Sequence, residues 1–394
     1  MADAIPVMMY HSVAPRIEGW AFNYLSFDPA CFEDHISTLA RAGYRSVLLP
    51  EVHDHVSGRR ALPAKSVALT FDDGYLDNWV FAVPVLKKYG FKATVFVSTD
   101  FIDPRDIQRP TAEDAAAGRV RMEGLAYRGF LTVAEMKSML ASGLIDIQGH
   151  CKTHTWHFTG PKIVDFHHPG DSYPWLAWNR RPERKYLYLE EDQTEYVPWG
   201  SPIYEFQPAV QARCYFPDRA VERAAVAVVE AGGGRRFFDE SDWRSELMAA
   251  ALHAAAGATG GREETSEQRK GRLGQEVVAS RAELGSLVGK TIDYLCWPNG
   301  AYDQTALGLA EGAGYTAWTL GSRAVTTQKN RPGEDPRWIA RMAAAPWWMF
   351  RGRRIGVVDG DFMRYLIEDY RGVALSSFRL RWHKLGKLLA SYTR

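Results

Sequence analysis

The sequence predicts an α/β fold whose parallel strands close, or nearly close, into a barrel. Two observations lead there. Short apolar runs alternate with helix-like segments through most of the chain, the pattern of a mainly parallel sheet covered by helices. The residues best suited to chemistry stand at the C-terminal ends of those runs, where such barrels carry their sites. At 394 residues the chain exceeds one typical domain, and a barrel with an insertion accommodates that length.

Residues 5–10 read as the first strand. Asp28-Pro29 then starts a helix, as an N-cap followed by Pro in the first turn, with Phe32, Ile36 and Leu39 on its apolar face. Gly43 ends it and 44–49 returns as a strand. Val67-Ala68-Leu69-Thr70-Phe71 is an apolar run with β-branched and aromatic members, so it reads as a buried strand. A helix over 79–88 is stopped by Gly90, and 93–97 is the next strand. Residues 110–129 read as loop. Thr132 with Glu135 makes a capping box for a helix over 133–141, and 144–147 is the strand that delivers His150. Residues 155–265 break the alternation. Their first part is rich in Pro, aromatic and charged residues, their second part reads as two helices, and glycine clusters at 232–234 and 257–261 punctuate them. That length exceeds a βα loop and predicts an insertion on the catalytic rim. A long amphipathic helix over 267–288, a strand over 292–297, a helix from Asp303 and a strand over 315–320 follow. Arg337-Trp338-Ile339-Ala340-Arg341 is the segment expected to close the barrel.

Asp72 and Asp73 end the strand of Thr-Phe-Asp-Asp-Gly. Alternation sends neighbouring side chains to opposite faces, and charge at a buried strand end is costly without a partner. A bound cation is the usual remedy. His150 and His154, four residues apart, have the spacing to reach one ion. One carboxylate and two imidazoles leave open positions on a zinc-like ion, as in a catalytic rather than a structural site. The competing reading makes the aspartates caps of the helix that begins near Tyr75.

The chain resembles the polysaccharide deacetylases of the NodB-homology, carbohydrate esterase family 4 type. Met8-Met9-Tyr10-His11-Ser12-Val13, Leu69-Thr70-Phe71-Asp72-Asp73-Gly74-Tyr75, the His150/His154 pair and Cys296-Trp297-Pro298-Asn299-Gly300 carry the likeness, in family order. The resemblance implies an irregular (β/α)7 barrel over 1–345, interrupted by the 155–265 insertion. It also implies removal of N-acetyl groups from a glycan or glycoconjugate sugar. Asp72 would be the general base and Asp73, His150 and His154 the ligands of a divalent metal, zinc before cobalt, nickel or iron. A metal-bound water would be the nucleophile. The backbone N–H of Asn299 would help bind the oxyanion, with Pro298, Gly300, His11 and Tyr75 lining the site. Many members carry an arginine two residues before the proline that steadies the base. This chain has Cys296 there; a subgroup associated with exopolysaccharide deacetylation also lacks that arginine, so the loss argues for subgroup rather than inactivity. Cys151 stands where Ser or Thr is usual and reads as a small side chain in a tight turn. No late Leu-x-His supplies an acid; His157, His167, His168 and His11 are the substitutes considered, and His383 stands in the wrong context. Two rival readings remain: hydrolysis of another C–N bond, in a cyclic amide or ureide, and a catalytically silent glycan-binding module.

Composition sets the remaining limits. The chain is 46% hydrophobic and 24% charged with net charge +1, which gives no signal for nucleic acid or a polyanionic partner. Four scattered cysteines without a CxxC favour a reducing compartment. Met1-Ala2-Asp3-Ala4 runs straight into the first strand without a leader-like stretch, and no apolar run reaches about 18 residues. The expected location is cytoplasmic. From Phe378 to Arg394 the chain has no acid. Arg379, Arg381, Lys384, Lys387 and Arg394 are basic there, and Phe378, Trp382, Leu385, Leu389 and Tyr392 follow helical spacing. This 346–394 segment reads as a basic amphipathic element that packs on its own domain or rests on the inner membrane face. In the second case a lipid-linked glycan becomes an attractive substrate.

Overall fold

The structure is a computed structural model that describes residues 4–240, 242–257, 260–321 and 328–392, apart from the side chains of Arg354, Ser391 and Tyr392. Tyr392 of the predicted apolar stripe, Arg394, residues 1–3 of the N-terminal segment, and Ala258 and Thr259 of the second glycine cluster therefore lie outside the described side chains or residues. The chain divides into two compact units. One comprises Met1–Cys151, Ser280–Gly300 and Gly314–Arg394, and the other Lys152–Ala279 and Ala301–Ala313.

The first unit is built on a parallel sheet of nine strands. They are β1 (Val7–Tyr10), β2 (Arg45–Val47), β3 (Ser66–Phe71), β4 (Ala93–Val97), β5 (Ile145–Gly149), β6 (Tyr294–Leu295), β7 (Ala317–Leu320), β8 (Trp338–Ala340) and β9 (Met342–Ala343). The order is β8-β7-β6-β5-β4-β3-β1-β9. Ala68 of β3 is opposite Val7 on one edge and Val47 on the other, while Phe71 is opposite Tyr10 and Val95. The edge away from β1 is thus shared, by β2 at its start and by β4 at its end. The two outermost strands, β8 and β9, are halves of one segment interrupted only at Arg341. Chain continuity there joins the two ends of the sheet and nearly closes it as an irregular barrel.

Asn330 fastens that closure. Its buried side chain donates to the carbonyls of Ile5 and Ala340, and its Oδ1 accepts from Ala340 N–H, each at 2.8–2.9 Å. Inward residues alternate with outward ones along the strands. Val7, Ala68, Phe96, Tyr294, Cys296, Ala317 and Ile339 form one buried cluster, completed by Leu49, Val52 and Val56. Those last three belong to a helix, Leu49–Val56, that the sequence reading missed by running its strand to residue 49. Pro50 and the Glu51 side chain, which accepts from Leu48 N–H, start that helix. The helix expected over 79–88 begins as a π-helical turn, Asn78–Ala82, before Val83–Tyr89. Residues 110–129 hold short helices, Ala112–Ala116 and Met122–Gly124.

The second unit opens with an antiparallel pair, Trp156–Phe166 with Pro202–Pro208, whose register shifts between Phe158 and Ile163. Arg219–Ala231, capped by Asp218, and Trp243–Ala256 are the two helices the sequence predicts, and they pack through Val221, Ala225, Val229, Leu247 and Ala251 against Phe166 and Phe237. The helix predicted over 267–288 is instead three pieces: Ser266–Gly274, a π segment Gln275–Ala279, and Ser280–Val288. The units divide at the end of that π segment.

Candidate active site

Alternation along three strands brings the first cluster together. Ala68 belongs to the barrel core, so Thr70 and Asp72, two and four residues on, face the same way. The same parity carries Tyr294 to Cys296 and Ile339 to Arg341. Asp72 is 3% exposed, as is Arg341, and the two form a bidentate pair at 2.6 and 2.9 Å. The guanidinium also lies 3.3 Å from Thr70 Oγ1 and 3.0 Å from Cys296 Sγ, with the Phe96 ring beneath it. His11 Nε2 stands 3.9 Å from the same carboxylate. Burial alone pushes the Asp72 carboxyl up. The charges of Arg341, His150 and His11 outweigh it and hold the carboxyl below its ordinary range. His11 is itself disfavoured as a cation, chiefly by burial.

Asp73 turns away. Its φ of 74° and that of Gly74, also 74°, reverse the chain after β3. Gly74 is needed there: a Cβ would meet Val97 Cγ2 at 3.2 Å in an already left-handed residue. The turn sets Asp73 Oδ1 3.2 Å from His150 Nε2. His150 follows β5, its N–H bonded to Val97 and its carbonyl accepting from Ser98 Oγ. Its Nδ1 lies 2.8 Å from the Cys296 carbonyl, which only accepts, so Nδ1 carries a proton. Burial disfavours the imidazolium, but Cys296, Asp73 opposite Nε2 and Asp72 outweigh it and raise the pKa of His150 well above its ordinary value.

His154 is the third residue of the second unit, on the loop that continues directly from His150. Cys151 and His154 both have positive φ, 59° and 43°, which folds that loop tightly; Cys151 is buried in it, as a small side chain in a turn. Within the second unit the loop is pinned from two sides. Buried Glu276 accepts from Lys152 and Thr153 N–H, and buried Lys185 donates to the Thr153 carbonyl at 2.9 Å. The His154 ring meets Trp156 edge-on.

Residues 59–190 match the polysaccharide deacetylase family. That match covers about a third of the chain and takes in strands β3, β4 and β5. The chain is similar to a putative polysaccharide deacetylase of Bacillus subtilis, YxkH, with 31% identity over 150 residues, which is 38% of this chain and 43% of that protein. It is also 23% identical to the poly-beta-1,6-N-acetyl-D-glucosamine N-deacetylase of Escherichia coli K12 over 135 residues, 34% of this chain and 18% of the other. The matches thus span less than half of either relative. Among solved structures, a de-N-acetylase from Aggregatibacter actinomycetemcomitans superposes with a TM-score of 0.53 at 20% identity, over 89% of this chain and 98% of that one, and shares the fold.

Two groups have the donor types for a cation: Asp72, His150 and Cys296, which lie together in the first unit, and the Asp73–His150 pair of that unit, to which His154 follows four residues along the chain. The first fits poorly. Both Asp72 oxygens already bind Arg341, whose charge would face the ion. The second offers a carboxylate and the Nε2 of His150 with no arginine interposed, the oxygen and nitrogen donors that suit a divalent transition metal. Of the other predicted residues, Pro298–Gly300 forms the turn after β6, with Asn299 left-handed at φ 57° and exposed. Tyr75 is 5% exposed, stacked on Phe130 and edge-on to Trp20, so its ring is used in packing. His167 uses both nitrogens, on Asp171 and the Thr194 carbonyl, and His168 lies by Asp165; each serves its own unit.

Arg341 is the functional residue that sequence reasoning missed. Its guanidinium reaches Asp72 and Cys296 from the closing strand, where the sequence offers no arginine two residues before Pro298. The signal was its parity with Ile339 in a segment already expected to close the barrel.

Proposed function

We propose that this protein is a metal-dependent hydrolase that removes N-acetyl groups from a glycan sugar. The observation that carries the reading is the division of two adjacent carboxylates, Asp72 paired with Arg341 and Asp73 turned onto His150. Asp73, His150 and His154 would hold the divalent ion, zinc by its donor set. Such an ion supplies Lewis acidity, which makes an amide carbonyl more electrophilic and water more acidic. Arg341 keeps Asp72 ionised and aimed, so its carboxylate is ready to take a proton from attacking water. Cys296 fixes the tautomer of His150 through its carbonyl. The amide of Asn299, in a left-handed turn after β6, is the donor assigned to the developing oxyanion. His11, whose Nε2 stands 3.9 Å from Asp72, is the residue assigned to proton transfer to the departing amine. Relatives named for polysaccharide and poly-N-acetylglucosamine deacetylation support an N-acetylated glycan as substrate. A cytoplasmic location is part of the proposal and rests on the four free cysteines, three of them buried.

The test is acetate release by metal-reconstituted protein from a nucleotide sugar, short chito-oligomers and a lipid-linked glycan. Asp72→Asn is expected to bind metal as before and to lose about 10²–10⁴-fold in turnover, the range of general-base catalysis. Metal bound without acetate release from any of these would transfer the reading to another amide. Acetate release that survives Asp72→Asn would remove Asp72 from the chemistry.

A further inference from the structure

The C-terminal helix, Ser376–Tyr392, is mounted with its apolar side outward. It meets its own domain largely through polar groups: His383 and Lys387 reach Asp359 at 3.0 and 2.7 Å, and among its described side chains Ser376 and Leu380 are the buried ones. Phe378, Trp382, Leu385 and Leu389 recur at helical spacing on the opposite side, and are 58, 58, 41 and 59% exposed. Arg379 and Arg381 flank that stripe and are exposed. Packing on the home domain therefore accounts for the polar side of the helix and leaves the apolar side uncovered.

A second element meets the helix. The antiparallel pair Trp347–Phe350 with Arg353–Val357 packs on it, Gly356 lying against the Lys387 stem and Lys384 reaching over the Trp348 ring. Its Met349 and Val357 are 48 and 56% exposed, and Arg351 and Arg353 are exposed beside them. Neither 347–357 nor 371–394 contains an acidic residue. Exposed Trp, Phe, Leu and Met within an arginine and lysine border, free of acids across two separate segments, matches an anionic lipid surface in both chemistry and charge. No helix among the described residues is long and apolar enough to cross a membrane, so the contact would be peripheral.

We infer that the Ser376–Tyr392 helix and the adjoining Trp347–Val357 hairpin form a docking face for an anionic membrane. The inference is independent of the hydrolase reading. It is tested by sedimenting the full-length chain with vesicles of phosphatidylcholine alone and of phosphatidylcholine with about one-third phosphatidylglycerol. Anionic vesicles are expected to retain the protein at least tenfold better than neutral ones, with the difference falling as salt screens the charges. The triple variant F378S/W382S/L389S and the pair R379E/R381E should each lose that retention. Their exposed positions leave the fold intact, to be checked by an unchanged circular dichroism spectrum. Equal retention on both vesicle types, or retention that survives both variants, would overturn the proposal. So would a concentration-dependent dimer that the triple variant abolishes without any vesicle binding, which would assign the face to a second copy of the chain.

Discussion

Asp72 depends on Arg341 for its charge. Both side chains are buried to within 3% and each satisfies the other with two hydrogen bonds, so neither tolerates loss of its partner. Truncating one side of such a pair strands an uncompensated buried charge and typically costs about 3–5 kcal/mol. Arg341→Ala should therefore destabilise the protein by roughly that amount and abolish turnover. Arg341→Lys keeps the charge but loses the bidentate fork, and should recover stability more than activity. Urea denaturation followed with an activity assay separates the two effects; an Arg341→Ala protein as stable and active as the parent would show that the pair does neither job. Reading the sequence alone located the carboxylates and the histidines because they are adjacent or four apart. It missed Arg341 because the pair joins residues 269 positions apart, and only strand parity in the closed barrel connects them.

Elements show where local sequence carries information. The helix Arg219–Ala231 was legible from its Asp218 cap and the spacing of Val221, Ala225 and Val229. The Trp156–Phe166 hairpin strand was not, because Gly160 and Pro161 interrupt its alternation where the register shifts. The π segments at Asn78–Ala82 and Gln275–Ala279 were also hidden, since one extra residue in a turn leaves the apolar pattern almost unchanged. Barrel closure was legible in outline, through the segment ending at Arg341, but its fastening was not. Asn330 makes three buried bonds that join the start of β1 to β8, and its φ of 52° suits Asn better than most residues. Asn330→Ala strands two carbonyls and an amide, each worth about 1–3 kcal/mol when left unsatisfied. Partial relaxation makes a loss of about 3 kcal/mol the expected outcome. Hydrogen exchange should show the added opening first at Ala340; a variant with parental thermal stability and exchange would place the closure elsewhere.

At the scale of the molecule, the second unit should weaken on acidification, and His157 supplies a reason. It lies in the second unit, where burial, reinforced by Arg272 and Lys185 against a smaller opposing effect of Glu264, lowers its pKa to about 4 from an ordinary value of 6.5. The folded unit holds this imidazole neutral, whereas the unfolded chain takes up a proton below pH 6.5. A depressed folded pKa means the stabilisation is complete above 6.5 and is lost as pH falls toward 4. The second unit should therefore weaken across that window even where the carboxylates remain ionised. His157→Gln removes the titration, and its stability should change less between pH 7 and 4.5 than that of the parent protein, at the expense of some stability at neutral pH. Hydrogen exchange resolved to Lys152–Ala279 measures the effect without assuming that the whole chain unfolds in one step. If the parent and His157→Gln proteins lose protection in parallel as pH falls, the acid response belongs to other groups and the buried imidazole is only a packing residue. If the slopes differ as expected, acidification loosens the unit whose loop carries His154, and activity should fall over the same pH window.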